Sequence, residues 1–506
     1  MTASVADRDR HLDPETAGST AAGRLTGGAR ALLTRAVWLW PALLTLALGV
    51  RGSWRPQLWR DELATWSAAT RSTGEMFDML KHVDAVSGLY YLFMQGWIGL
   101  FGDSAAVMRL PSALAMAGAA VFVTLTARKV FDDRTALFAG LLFAVVPSIS
   151  RYAQEARAYG FVVLAVSAAT WLLLRAIERP VLLRWLPYTV AVTAAGLFHM
   201  VSLLFLSGHA VIVFFQWRRE RNRKLLTGFG ASVLIGLLPV VPLVLIGQRQ
   251  VGRQISWLET PWLQTYIEYW HNLFGSALVS GCFLVLAAIP GGWARHRQRV
   301  FEIGTVAVLP IAISWVLSHG PSVYFFERYQ LYTVPAWCIL AAAGLNSLRP
   351  RILGVVGLVL VAAIGIPDQQ KLRTSVSHEQ TDGRRAAQVI ADRYRPGDGF
   401  APIRGDDKWM MIDLEIRYYL PDRVKLKDVL IAKDAIERGD LFAASCPAPA
   451  DCLGTPRIWV VAMGNGEDPL ERFPKKQAAA LRASYEQTEI KHVRGLTVAL
   501  WERTSD

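Results

Sequence analysis

"SGLYYLFMQGWIGLFG", residues 87 to 102, decides how this chain is threaded. The stretch is apolar enough to enter a bilayer, and whether it spans sets the side of every loop after it. Around it lie apolar runs near 36–54, 108–127, 135–150, 158–177, 185–200, 201–217, 225–247, 264–290, 300–318, 329–348 and 352–366. Hydropathy reads these as about eleven spans, since a helix needs roughly 20 residues to cross the hydrocarbon core. Laid along the outer surface as an interfacial helix, which suits its aromatic and glycine content, 87–102 leaves five basic loops inside: "ARKVFDDR" (127–134), "RAIERPVLLR" (175–184), "QWRRERNRK" (216–224), "GGWARHRQR" (291–299) and "LRPR" (348–351). Lys and Arg accumulate on the cytoplasmic side. A spanning 87–102 would instead send 216–224 outward.

Composition agrees. The 506 residues are 53% hydrophobic and 19% charged, with 18 Trp, which excludes an ordinary soluble enzyme of this length. The net charge of +13 is not a nucleic-acid signal. Residues 367–506 hold 22 basic and 22 acidic side chains, so the whole excess, 32 against 19, lies in 1–366 among the apolar runs. No basic face with interleaved aromatics marks the polar part.

Three regions follow. Residues 1–35, rich in Ala, Gly, Thr and Arg without an apolar core, read as a disordered cytoplasmic tail. Residues 36–366 form a mainly helical membrane domain with an external loop at 54–107. Residues 367–506 alternate short apolar runs, "RIWVVAMG" and "LTVALWER", with amphipathic segments, "GRRAAQVIADRYRPGD" and "KKQAAALRASYEQ". That pattern predicts a small extracytoplasmic α/β domain with a short mixed sheet. Cys446 and Cys452, spaced C-x5-C in "CPAPADC", suit a disulfide in an oxidising compartment.

The threading puts one set of polar segments outside: "LWRDELATWS" (58–67), "KHVD" (81–84), "SRYAQEARAYG" (150–160), His199, "GQRQVGRQISWLETPW" (247–262) and "HGPSVYFFERYQ" (319–330). An acidic pair, Asp61 and Glu62, therefore shares a surface with Lys81, His82 and Asp84, and with two arginine-tyrosine pairs, Arg157 with Tyr159 and Arg328 with Tyr329. A carboxylate beside an acceptor hydroxyl takes its proton, while guanidinium and phenol groups hold a phosphate leaving group. Sugar transfer from a lipid phosphate needs that pairing. Plainer readings stand beside it: a salt-bridged rim of Asp61 and Glu62 with Arg55 and Arg60, arginines snorkelling at span ends, and histidines that only hydrogen-bond.

The segments "WRDEL", "KHVDAVSGLYYLFMQGWIGLFGDSAAVMRLPSAL", "YAQEARAYG" and "ERYQLYTVPAW" together resemble, in order and spacing, the C-type (GT-C) glycosyltransferases. The branch is that of bacterial protein O-mannosyltransferases and the lipid A aminoarabinose transferase, and the likeness runs over roughly 36–345. It implies a polyprenyl-phosphate sugar as donor, Asp61 as catalytic base with Glu62 its neighbour, and Arg157 and Arg328 near the lipid phosphate. One departure is "HVDAVSGLYY": relatives often carry paired prolines where Ser87 and Gly88 stand here, which loosens that turn.

The expected activity is inverting transfer of a mannose-like sugar or pentose to an extracytoplasmic glycan, lipid or protein. No cofactor is predicted; Asp61 and Asp84 are the carboxylates open to a divalent cation. The alternatives are a transporter or flippase of lipid-linked sugars, which would want ionisable groups at midplane and broken paired spans, and a scaffold whose external domain binds cell-wall polymer.

Overall fold

The structure is a computed structural model and describes residues 36–378 and 381–504. The tail expected at 1–35 lies outside the described residues. Most of the chain is a bundle of apolar helices around one core running from Ala113 to Val361. Among the described residues five helices are long and apolar enough to cross a membrane: Ala105–Val130, Tyr159–Glu178, Met200–Glu220, His296–Leu317 and Ile352–Lys371. Three bent pairs raise the number to eight, and Leu39–Val50 and Leu182–Phe198 are shorter apolar helices. Length and composition therefore support a multi-pass membrane protein but not the count of eleven.

The bends have local causes. Pro147 opens the second half of the pair 133–153, bent by 62°. Pro239 and Pro242 flank the 55° break between Arg223–Leu237 and Val241–Gln254. Each proline withholds an N–H from the helix ladder. At the 94° corner between Gln264–Phe274 and Ala277–Ala287, Gly275 takes φ +71°, and a Cβ there would lie 2.8 Å from the Ser148 amide, so only glycine fits. The last apolar helix runs through Pro367 to Lys371, past the boundary expected at 366.

Residues 87–102 start on the last residue of a short 3-10 turn, Ala85–Ser87, and continue as the helix Gly88–Phe101, closed by Gly102 at φ +85°. Fourteen residues rise only about 21 Å. Tyr90, Tyr91 and Met94 are buried, while Leu100 and Phe101 are exposed. With Leu39–Val50 and Leu182–Phe198, this helix belongs to the shorter apolar helices of the chain.

The five basic loops meet at one end of the bundle. Lys129 and Arg184 both pair with Glu178, and Asn346 donates to Asp132 (2.9 Å). Arg134 donates to the Arg351 carbonyl, Phe131 contacts the His296 ring (5.4 Å), and Arg219 bonds Gln298.

At the other end sits a second core between Ala386 and Trp501. Its five-stranded mixed sheet is built from β1 (Gly399–Pro402), β2 (Lys427–Asp428), β3 (Arg457–Met463), β4 (Tyr485–Val493) and β5 (Leu496–Arg503) in the order β2-β1-β3-β5-β4, parallel across β2-β1-β3 and antiparallel beyond. Strand β3 is buried along nearly its whole length, as its unbroken apolar run requires. Cys446 and Cys452 are joined in a disulfide.

This C-terminal region is clamped onto the external loop. Leu58 N donates to the Tyr419 hydroxyl (2.8 Å), Gln57 Nε2 to Asp382 (2.7 Å), and Tyr418 OH to the Asp103 carbonyl (3.0 Å). Asp440 is the main fastening: its carbonyl accepts from Arg71 (2.6 Å) and its carboxylate from Arg253 (2.9 Å).

Candidate active site

The helix Arg60–Ala69 carries the acidic pair in its first turn, where unpaired amides favour carboxylates. Neighbours on a helix point about 100° apart, so Asp61 and Glu62 meet different surroundings. Glu62 turns inward and is fully buried. It accepts from Arg109 Nε (2.8 Å) and Nη2 (2.5 Å) and from the Ala156 amide (2.9 Å). Burial alone would raise its pKa, but the charge and hydrogen bonds of Arg109 hold the carboxyl well below the usual range. The same guanidinium donates to the carbonyls of Ser53 (2.6 Å), Pro56 (2.8 Å) and Gln57 (3.1 Å). Arg109 thus fastens the turn that delivers the helix, and Glu62 is its counter-ion, out of reach of a substrate.

Asp61 faces the other way, into a cavity of ≈ 580 Å³ between the bundle and the C-terminal region. Arg328 Nη1 lies 3.3 Å from its Oδ2 and Arg60 Nε 3.9 Å from its Oδ1. Arg328 stands on the turn Glu327–Thr333, its side chain only 10% exposed. Aromatic rings surround it: Phe326 (4.7 Å), Trp59 (5.4 Å), Trp257 (5.8 Å), Tyr329 (5.9 Å) and Tyr159 (6.0 Å). Its Nε is buried and has no hydrogen-bond partner among the described residues.

A second arginine reaches the same cavity. Arg157 Nη1 donates to the Tyr91 hydroxyl (3.1 Å), which donates to Asp84. Asp84 also accepts from Gln254 (3.2 Å). Tyr159 and Tyr329 flank His199, at 6.1 and 4.6 Å between ring centres.

Six of the residues singled out in the sequence therefore share one cavity: Asp61, Asp84, Arg157, Tyr159, Arg328 and Tyr329. Glu62, Lys81 and His82 do not line it. Lys81 is 68% exposed and pairs with Asp78 (2.6 Å). His82 turns Nδ1 to the carbonyls of Asp78 (3.0 Å) and Gly439 (3.1 Å), a tie to the C-terminal region. Both sit on the last turn of the helix Thr73–His82, which ends before the chain bends at Asp84 (φ 59°) toward the cavity.

Sequence reasoning did not single out Arg109, Arg253 or Trp409. Arg109 had a signal, a lone charge just inside an apolar helix. Arg253 lay in a quoted external segment, but Trp409 had none. Glu155, two residues before Arg157, is also fully buried; its carboxylate accepts no hydrogen bond among the described residues and is paired with Arg151 Nε at 3.6 Å. Burial raises its pKa to about 7. Among the described residues no three His, Cys, Asp or Glu converge as metal ligands.

Residues 88–246 match the family model for dolichyl-phosphate-mannose-protein mannosyltransferase. Among solved structures, ArnT from Cupriavidus metallidurans in the apo state superposes with a TM-score of 0.59 at 15% identity, covering 94% of this chain and 98% of that one. The same protein bound to undecaprenyl phosphate gives 0.56 at 15% identity, covering 93% and 98%. No curated protein sequence matches the chain. The chain thus has the fold of the C-type (GT-C) integral-membrane glycosyltransferases and resembles them both in its architecture and, over residues 88–246, in its sequence.

Proposed function

We propose that this protein transfers a sugar, mannose-like or a pentose, from a polyprenyl-phosphate donor to an acceptor on the extracytoplasmic side. The observation that carries the reading is the division of labour at the acidic pair. One carboxylate is locked in a buried ion pair, while the other stands in a cavity with four arginines, Arg60, Arg157, Arg253 and Arg328. The undecaprenyl phosphate bound by ArnT supports a polyprenyl phosphate as the group those arginines meet.

In the proposed reaction Asp61 takes the proton from an acceptor hydroxyl. The hydroxyl oxygen then attacks the anomeric carbon from the face opposite the phosphate. The bond from that carbon to the phosphate oxygen breaks, and its electron pair leaves on the phosphate, which Arg157 and Arg328 neutralise. One displacement inverts the anomeric centre. The cavity faces outward in the proposed orientation, with the basic loops inside.

Asp61→Asn keeps the shape of the side chain and removes the base. Turnover should fall about 100-fold or more with donor binding little changed. Near-normal turnover of a radiolabelled polyprenyl-phosphate sugar would overturn the assignment. The three bent helix pairs are the feature that favours a transporter instead. Donor movement across vesicles without release of polyprenyl phosphate would select that alternative.

A further inference from the structure

The cavity has two unlike walls. The bundle and its external loop supply all four arginines, whereas the C-terminal region supplies Trp409, Met411, Leu441 and Phe442, none of them charged. Trp409 stands on the short turn Gly405–Met410 and is 47% exposed, with the Arg60 guanidinium 4.7 Å from its ring centre. A cation against an indole fixes the ring's orientation, so this large apolar surface is held at the cavity and not folded away. Trp257, 49% exposed, stands on the bundle wall. Its indole donates to the Gln254 carbonyl (2.9 Å) and meets Phe326 edge-on at 5.2 Å. Arg253 and Gln254 add planar polar groups to the lining.

A fixed flat apolar face bordered by forked donors suits a ring that is apolar on its faces and carries hydroxyls around its rim. That is a pyranose. A peptide added as a further strand needs a strand edge, and none of the four C-terminal lining residues lies in a strand. In the proposed reaction the donor phosphate, with its own sugar joined to it, meets Arg157 and Arg328, whereas Trp409 lies against Arg60 on the C-terminal wall; the ring on the indole is assigned to the other substrate.

We propose that Trp409 is the platform of an acceptor subsite for a pyranose ring, and hence that the acceptor is a saccharide. This rests on the transferase reading above, but its test needs no turnover. Full-length protein in nanodiscs would be titrated with α-mannotriose, α-1,4-glucotriose and β-1,4-galactotriose, and with a Ser/Thr-rich pentapeptide, by saturation-transfer NMR. At least one trisaccharide should bind saturably, with the strongest transfer to C–H protons on a ring face. Trp409→Ala should weaken that binding about tenfold and Trp409→Phe by about threefold or less. Saturable binding of none of the trisaccharides, equal binding by Trp409→Ala, or Trp409-dependent binding of the peptide would each overturn the proposal. Asp61-dependent turnover alongside any of these results would leave the transferase reading standing, whereas Trp409-dependent binding with normal Asp61→Asn turnover would do the reverse.

Discussion

Glu62→Gln removes one charge from a pair whose side chains are 0% and 1% exposed. A buried guanidinium left without its counter-ion costs about 3–5 kcal/mol. Part of the geometry survives: the glutamine oxygen still accepts from Arg109 or the Ala156 amide, and Arg109 keeps its bonds to Ser53, Pro56 and Gln57. The lower end, about 3 kcal/mol, is therefore expected. At roughly 2–4 °C per kcal/mol for chains half this size, the melting point should drop by about 5 °C. Arg109→Met is the harsher change. It strands a buried carboxylate and leaves three backbone carbonyls unmet, each worth about 1–3 kcal/mol, and should yield little folded protein.

The assay is scanning fluorimetry of purified protein together with turnover per folded molecule. Glu62→Gln should melt early yet turn over donor far better than Asp61→Asn, which should melt near the wild-type temperature and be nearly inactive. A Glu62→Gln protein that melts within about 1 °C of wild type but has lost turnover would refute the division of roles, because Glu62 would then act on substrate and not on the fold.

Arg328→Lys keeps the charge but gives up the planar fork and its fit among the aromatic rings; donor affinity should fall about tenfold with the melting point little changed, read by competition with polyprenyl phosphate. Glu155 gives a pH signature. Its folded pKa of about 7 lies above the ordinary 4.5, so stability is full below about pH 4.5 and is lost as pH rises toward 7, by about 3 kcal/mol in all. Glu155→Gln should flatten that slope and melt higher than wild type at pH 8; an unchanged slope would show that another group titrates.

The ends of the bundle were legible because they depend on a property local in sequence. Basic residues stay in the loops that remain inside, and the loops at 127–134, 175–184, 216–224, 291–299 and 348–351 do gather at one end. The number of spans was less legible. Hydropathy counts apolar residues, whereas Pro147, Pro239 and Gly275 break runs into bent halves, and Leu39–Val50 is only 12 residues long. The acidic pair was located, and only the family resemblance singled out Asp61 as the base; the residues themselves did not separate the two roles. Adjacency in sequence says nothing about which carboxylate meets Arg109, 47 residues away.

Lys81 and His82 lie outside the cavity for a related reason. Their distance from Asp84 in sequence is small, but a helix ends between them and the turn into the cavity. Trp409 was out of reach altogether, since nothing in "DDKWMM" marks chemistry until the C-terminal region is set against Arg60. That docking is itself held by specific bonds. Asp440 ties the external loop through Arg71 and the bundle through Arg253, and its chain neighbours Leu441 and Phe442 line the cavity. Apolar packing acts with it: Met411 and Leu441 are buried in one cluster with Leu63, Tyr90, Met108 and Ala156, so the aromatic wall is seated by a shared core as well as by Asp440. Sequence patterns describe the bundle and the sheet region, and only the contacts that join them describe the site.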